Sequence, residues 1–241
     1  MNLLFGNKGE EFLDILYRIN KYCINSKFPS LKNTIDTFNF DDVYDEILNY
    51  IDSIEDLLEE FDKFIYSYNF SEKTHKTEIL YRIKAEDSLL GKWNKNIDKK
   101  RPLRKVCNDI IGIRVITNLS REDMINSIFQ LCNGNKYNKL EIINFYENPK
   151  KPDDGYRGVH VYFKENSKSF PIEIQFWTRI DALLNFYTHE VIYKTNSSKE
   201  LAEYSLLLRK WLYDLPSISS EIKMTFIDYL YEIVFPSIGG N

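Results

Sequence analysis

The side chains best suited to chemistry fall in four segments. In YRIKAEDSLLGKW, Arg82 and Lys84 alternate onto one face of a strand that runs into a helix, where Ser88 and Lys92 stand four residues apart on one face. A strand end, a helix start and cations in line suit a polyphosphate, because first-turn N–H groups are unpaired and the helix dipole favours negative charge there. The glycines of a Walker A loop are missing. Taken alone, solvated cations on an amphipathic helix are the plainer reading.

In NDIIGIRVIT, Asp109 precedes an apolar strand that carries one cation, Arg114. A charge inside an apolar run needs a partner. Asp109 is a reasonable ligand for a hard cation, and the planar guanidinium of Arg114 suits stacking on a ring or base. A structural pair between the two is the alternative. In PIEIQFWT, period 2 separates a core face (Ile172, Ile174, Phe176) from Glu173, Gln175 and Trp177. A glutamate amid such a strand is a candidate metal ligand or general base, unless that face of the sheet is wet. The turn-rich NPKKPDDGYRGVH delivers Tyr156, Arg157 and His160 to a strand start, with Lys150 and Lys151 nearby. A ring beside cations suits a nucleobase stacked above its phosphates. As lone histidines, His160 and His189 are more often structural than catalytic.

Hydrophobic periodicity predicts the elements that hold these residues. Helical spacing runs through 9–70, in one stretch with Phe12, Ile15, Leu16 and Ile19 and in a second from Val43 to Phe61, N-capped by Asn39 or Asp41. Strands are expected at 78–84, 111–118, 140–146, 158–164 and 171–178, and helices at 86–96, 121–133, 179–194, 199–214 and 221–233. This order predicts an α+β fold, with a mixed four- or five-stranded sheet flanked by N- and C-terminal helices. It is expected to be a single domain over 1–241, with helices in 1–75, the β/α core in 76–195 and helices in 196–241.

Composition narrows the classes. With 28% charged and 43% hydrophobic residues, the chain is globular rather than disordered. A net charge of −4 argues against a nucleic-acid coat protein, whose domain pI would exceed about 9. Charge is unevenly placed, however. Residues 82–105 hold nine basic residues against three acidic ones, which favours a phosphate-rich partner. Three cysteines without a CxxC pair argue against a disulfide framework or Cys-based zinc site and fit a reducing compartment. Three histidines, none followed by Asp, exclude a His-Asp hydrolase site. There is no signal-like N-terminus and no window near the ~20 apolar residues of a membrane span, so a cytoplasmic protein with no membrane partner is expected.

In register, the segments resemble the synthetase domain of the RelA/SpoT family, and in particular its single-domain small alarmone synthetases. The family pattern is met by Arg82–Ile83–Lys84 with Ser88 and Lys92, then by Asp109, Gly112 and Arg114. It continues through Asn148–Pro149–Lys150 with Gly155–Tyr156–Arg157 and His160, Glu173–Ile174–Gln175, and His189 with Tyr193–Lys194. The resemblance implies a nucleotidyltransferase-like sheet and a GTP pyrophosphokinase-type transferase. Mg²⁺-bound ATP would donate its β,γ-pyrophosphate to the 3′-hydroxyl of GDP or GTP. Asp109 would hold Mg²⁺, and Glu173 would ligate the metal, activate the hydroxyl, or both. Arg82 and Arg114 would sandwich the adenine, and Lys84, Ser88 and Lys92 would hold its phosphates. Tyr156 would stack on the guanine, with Lys150, His160 and Gln175 at the rest of the acceptor.

Departures fall on the acceptor half. Trp177 stands where the family usually has Arg, with Arg179 two positions on; Thr188 precedes His189; and the loop reads GYRGVH where GYRSLH is commoner. Two alternatives therefore stay open: a toxin-type member that pyrophosphorylates the 3′-CCA end of tRNA, and a non-catalytic nucleotide- or RNA-binding regulator. The flanking helices are open to use as a homo-oligomer interface or an antitoxin-binding surface.

Overall fold

A computed structural model describes residues 2–71, 77–133, 140–151, 153–164, 167–188 and 199–214. The fold is α+β, as expected, built on one mixed sheet. Its strands are β1 (Thr77–Ile83), β2 (Ile111–Thr117), β3 (Leu140–Asn144), β4 (Val159–Phe163) and β5 (Ile172–Thr178), in spatial order β1-β2-β5-β4-β3. The central β2 and β5 run parallel and every other neighbour is antiparallel. Strands covered on both faces read as near-continuous apolar runs; β2 comes close to this, whereas β5 alternates its apolar residues with Glu173 and Gln175.

One face of the sheet carries Ile79, Ile113, Val115, Ile174, Phe176 and Val161, all buried. It packs against α1 (Gly9–Lys21) and α3 (Glu55–Ser71) in one continuous core. Phe5 stacks on Phe12 of α1 with centroids 4.5 Å apart and meets Phe176 of the sheet edge-on at 6.5 Å. Each such buried ring stabilises the fold by about 1.5–3 kcal/mol.

Two features of the N-terminal region differ from the periodic reading. The stretch from 43 to 61 is two helices, α2 (Phe40–Ser53) and α3, broken at Ile54, where φ is −114° and ψ 13°. Ile54 stays buried, so the apolar period runs on through a break in the backbone. Residues 22–39 form no α-helix. Their backbone groups bond to distant segments instead, with Ile24 N–H donating to Lys168 O (2.8 Å) and Leu31 N–H to Ser167 O (3.1 Å). Asn39 is the N-cap of α2, its side-chain oxygen accepting from Asp41 N–H at 2.9 Å.

The remaining helices are α4 (Glu86–Asn94), α5 (Leu103–Val106), α6 (Arg121–Asn133), α7 (Arg179–Thr188) and α8 (Lys199–Asp214). The short α5 has no counterpart in the sequence reading. The helix expected at 221–233 lies outside the described residues. Among the described residues no helix is long and apolar enough to cross a membrane.

Candidate active site

Strand register gathers the candidate residues on the other face of the sheet. Arg82 pairs with Gly112, Gly112 with Glu173, and Glu173 with Tyr162. The next row is Leu80, Arg114, Gln175 and His160. Four strands thus bring Arg82, Arg114, Glu173, Gln175 and His160 onto one face. Gly112 keeps its row open: a Cβ there would lie 3.9 Å from the Arg82 side chain and meet nothing closer.

Asp109 lies just before β2, where the backbone of Lys84 donates to Ile110 O at 2.9 Å. Lys84 Nζ donates to Asp109 Oδ2 at 2.7 Å, and Lys92 Nζ, from α4, to Asp109 Oδ1 at 2.8 Å. Lys92 also reaches Asn108 Oδ1 at 2.5 Å. Each oxygen of Asp109 is therefore met by an ammonium group, and the Lys84 side chain is only 8% exposed. Charges this far from water persist because they are paired. The structural Asp109–Arg114 pair considered from the sequence is not what forms. Ser88 is exposed on α4. Of the other cations in the basic segment, Lys95, Lys99, Lys100, Arg101 and Lys105 are exposed, and Lys100 faces Asp36 at 3.7 Å.

Arg114 is held by aromatic rings. Its guanidinium carbon lies 5.0 Å from the ring centroid of Trp177 and 5.0 Å from that of Phe186 on α7. Its Nε donates to Gln175 Oε1 at 3.4 Å. Burial, with the charge of Arg82, pulls its pKa below the usual arginine range.

Glu173 is 7% exposed and accepts from three sides. Tyr162 OH donates to Oε1 at 2.5 Å, His160 Nδ1 lies 3.0 Å from the same oxygen, and Gln175 Nε2 donates to Oε2 at 2.8 Å. Burial alone would raise the pKa of this carboxyl. The bonds from His160, Tyr162 and Gln175 outweigh it and hold the value down at about 2. The face expected to be either wet or functional is thus buried around its glutamate.

The loop that carries Tyr156 is stapled by its own side chains. Asp153 accepts from Gly155 N–H at 2.9 Å and holds the Arg157 fork through two 2.8 Å bonds. Gly155 has φ 82°, the left-handed conformation that favours glycine. Tyr156 is delivered inward rather than to the surface and is 9% exposed. Its hydroxyl bonds His160 Nε2 and accepts from Trp177 Nε1 at 2.9 Å. Lys150 Nζ stands 4.0 Å from the Tyr156 ring centroid and 3.7 Å from Asp154. The predicted His189, Tyr193 and Lys194 lie outside the described residues.

Several participants were not singled out from the sequence. Tyr162 donates to Glu173; the alternation of VHVYF puts it on the face of His160, and the β4–β5 register sets it opposite Glu173. Asp181 is fully buried and accepts from Tyr146 OH (2.5 Å), Thr178 Oγ1 (2.7 Å) and Arg209 of α8. Asp181 N–H bonds back to Thr178 Oγ1 at 3.2 Å, so the T-x-x-D spacing of a capping box was the available signal. Arg209 also reaches Asn185 Oδ1 at 3.0 Å, and Asn185 Nδ2 holds the carbonyl of Arg157 at 2.8 Å. Helix α8 is in this way tied to the loop that carries Tyr156.

The donor set fits a hard divalent cation. Asp109 and Glu173 offer carboxylate oxygens, and the two lysines show that positive charge is already accommodated at Asp109. Among the described residues no three His, Cys, Asp or Glu side chains gather as a cage. Two carboxylates suit a cation that arrives on nucleotide phosphates.

Residues 81–198 match the family model described as a region found in RelA / SpoT proteins. No match was found among curated proteins. Among solved structures, the chain is similar to small alarmone synthetase 1 from Bacillus subtilis bound to its product pppGpp. The two share 18% identity over 82% of this chain and 98% of that one, with a TM-score of 0.52. It is also similar to small alarmone synthetase 2 from Bacillus subtilis (22% identity, 78% and 98% covered, TM-score 0.50). A GTP pyrophosphokinase family protein from Streptococcus pneumoniae matches at 20% identity, with 78% and 96% covered and a TM-score of 0.53. At these identities the likeness establishes the shared fold.

Proposed function

Residues 81–198 belong to the RelA/SpoT family, and from that premise we propose that this protein is a pyrophosphokinase. It transfers the β,γ-pyrophosphate of ATP to the 3′-hydroxyl of a guanine nucleotide and releases AMP. The observation that carries this reading is the convergence of Lys84, Lys92 and Asp109 beside the open Gly112 row that joins Arg82 to Glu173.

Pyrophosphoryl transfer concentrates negative charge on phosphate oxygens, and its catalysis is positioning plus electrostatics. Lys84 and Lys92 supply two cations on a rigid strand end and helix, and they would turn from Asp109 to donor phosphates. Arg82 and Arg114 stand two residues and one strand apart and face the same side, so they could flank a donor base once Arg114 shifts from the Trp177 and Phe186 rings. Asp109 and Glu173 would hold Mg²⁺, which when bound neutralises phosphate charge. A carboxylate held near pKa 2 by three donors is a poor proton acceptor at neutral pH. That favours a fixed, charged, metal-holding role for Glu173 over general-base work.

The acceptor side carries the open question. With Tyr156 turned inward, a guanine that stacks on it must first displace Lys150. The test is therefore run with three acceptors in parallel. Purified protein is given ATP labelled in the γ-phosphate with GDP, GTP or deacylated tRNA. Label on GDP or GTP supports the proposal. Label on tRNA alone replaces it with the toxin-type reading, and binding of ATP without transfer to any acceptor replaces it with a regulator.

A further inference from the structure

Two of the departures from the family pattern, Gly158 and Trp177, sit against each other. A Cβ on Gly158 would lie 2.7 Å from Trp177 Cδ1, 2.8 Å from its Nε1 and 3.2 Å from Phe176 O. No side chain fits there while the indole occupies its place. Trp177 is itself buried, at 3% exposure. From that position it touches both halves of the site. Its ring lies under the Arg114 guanidinium at 5.0 Å, and its Nε1–H donates to Tyr156 OH at 2.9 Å. Tyr156 OH bonds His160 Nε2, and His160 Nδ1 lies 3.0 Å from Glu173.

We propose that Gly158 and Trp177 are a coupled positioning pair: the glycine admits the indole, and the indole ties the acceptor loop to the arginine on the donor side. The indole N–H is a donor with no acceptor capacity. It fixes the Tyr156 hydroxyl as its acceptor and leaves that hydroxyl aligned on His160. A contiguous set of contacts then runs from Arg114 through Trp177, Tyr156 and His160 to Glu173. An arginine at 177 would bring a second cation against the already desolvated Arg114, which the neutral indole avoids. The role in transfer rests on the pyrophosphokinase reading; the pairing of the two residues does not.

The test has two parts. Thermal melts of Gly158→Ala, Trp177→Ala and the double variant examine the pairing. Gly158→Ala should lower the melting temperature by about 5 °C in the otherwise native chain, through overpacking. In the Trp177→Ala background it should lose less than half of that; equal losses overturn the pairing. The second part uses Trp177→Phe, which keeps a ring beneath Arg114 and removes the N–H. With whichever acceptor the native chain uses, kcat/KM for that acceptor should fall about tenfold. The affinity for a non-hydrolysable ATP analogue should stay within twofold. An unchanged acceptor kcat/KM, or an equal loss on both substrates, overturns the positioning role. A native chain that transfers to no acceptor overturns the pyrophosphokinase reading instead, and the melts still decide the pairing.

Discussion

Glu173→Gln gives the sharpest physical prediction. The carboxyl has an ordinary value of 4.5 and is held at about 2 in the folded protein, with burial opposing and His160, Tyr162 and Gln175 prevailing. A native value below the unfolded one means that ionisation stabilises the fold. Two and a half pH units correspond to about 3 kcal/mol at neutral pH. This contribution is fully present above the unfolded value and drains away as the pH falls toward the folded one. By pH 3 about 2 kcal/mol of it is gone. Glutamine cannot titrate, and its amide nitrogen would face at least one of the three donors. The stability gap between native chain and variant should therefore be about 3 kcal/mol at pH 7. It should shrink by about 2 kcal/mol at pH 3. Urea unfolding of both proteins at both pH values reads this directly, provided the m-values agree. A gap that is the same at pH 7 and pH 3 would refute the reasoning, because it would mean that the three donors do not hold the charge.

Three further outcomes follow from the geometry. Arg209→Met leaves Asp181 buried without its cation and should cost about 3–5 kcal/mol, seen as a melting temperature lower by roughly 10 °C. Adding Asp181→Asn should recover more than half of that loss in the same melt. Asp109→Asn should reduce transfer by at least about a hundredfold while calorimetry still shows binding of an ATP analogue, since the lysines remain. Arg114→Lys keeps the charge but loses the planar face, and should weaken ATP-analogue binding about tenfold in the same calorimetric assay.

Local pattern carried much of this site. The alternation of PIEIQFWT separates Glu173, Gln175 and Trp177 from the core residues, and the register then aligns them with Arg114 and His160. The start of α6 at Arg121 matches its periodic stretch, because Ser120 Oγ accepts from Asp123 N–H and fixes it locally. What periodicity did not carry depends on contacts distant in sequence. The break at Ile54 leaves the apolar pattern intact, so nothing local marks it. The inward-turned Tyr156 is met by Trp177, 21 residues away, whose indole lies against Gly158. The pairing of Lys84 and Lys92 with Asp109 closes over 25 and 17 residues, so sequence spacing marked each residue separately and not their junction.

Pyrophosphate transfer is defined by which bond of ATP is broken. Phosphorus NMR of the protein with Mg²⁺, ATP and its preferred acceptor distinguishes the two nucleotide products. Pyrophosphate transfer should release one AMP for each acceptor modified, with a new diphosphate on the acceptor's 3′-oxygen. ADP as the nucleotide product, or AMP with free pyrophosphate and an unmodified acceptor, would contradict it.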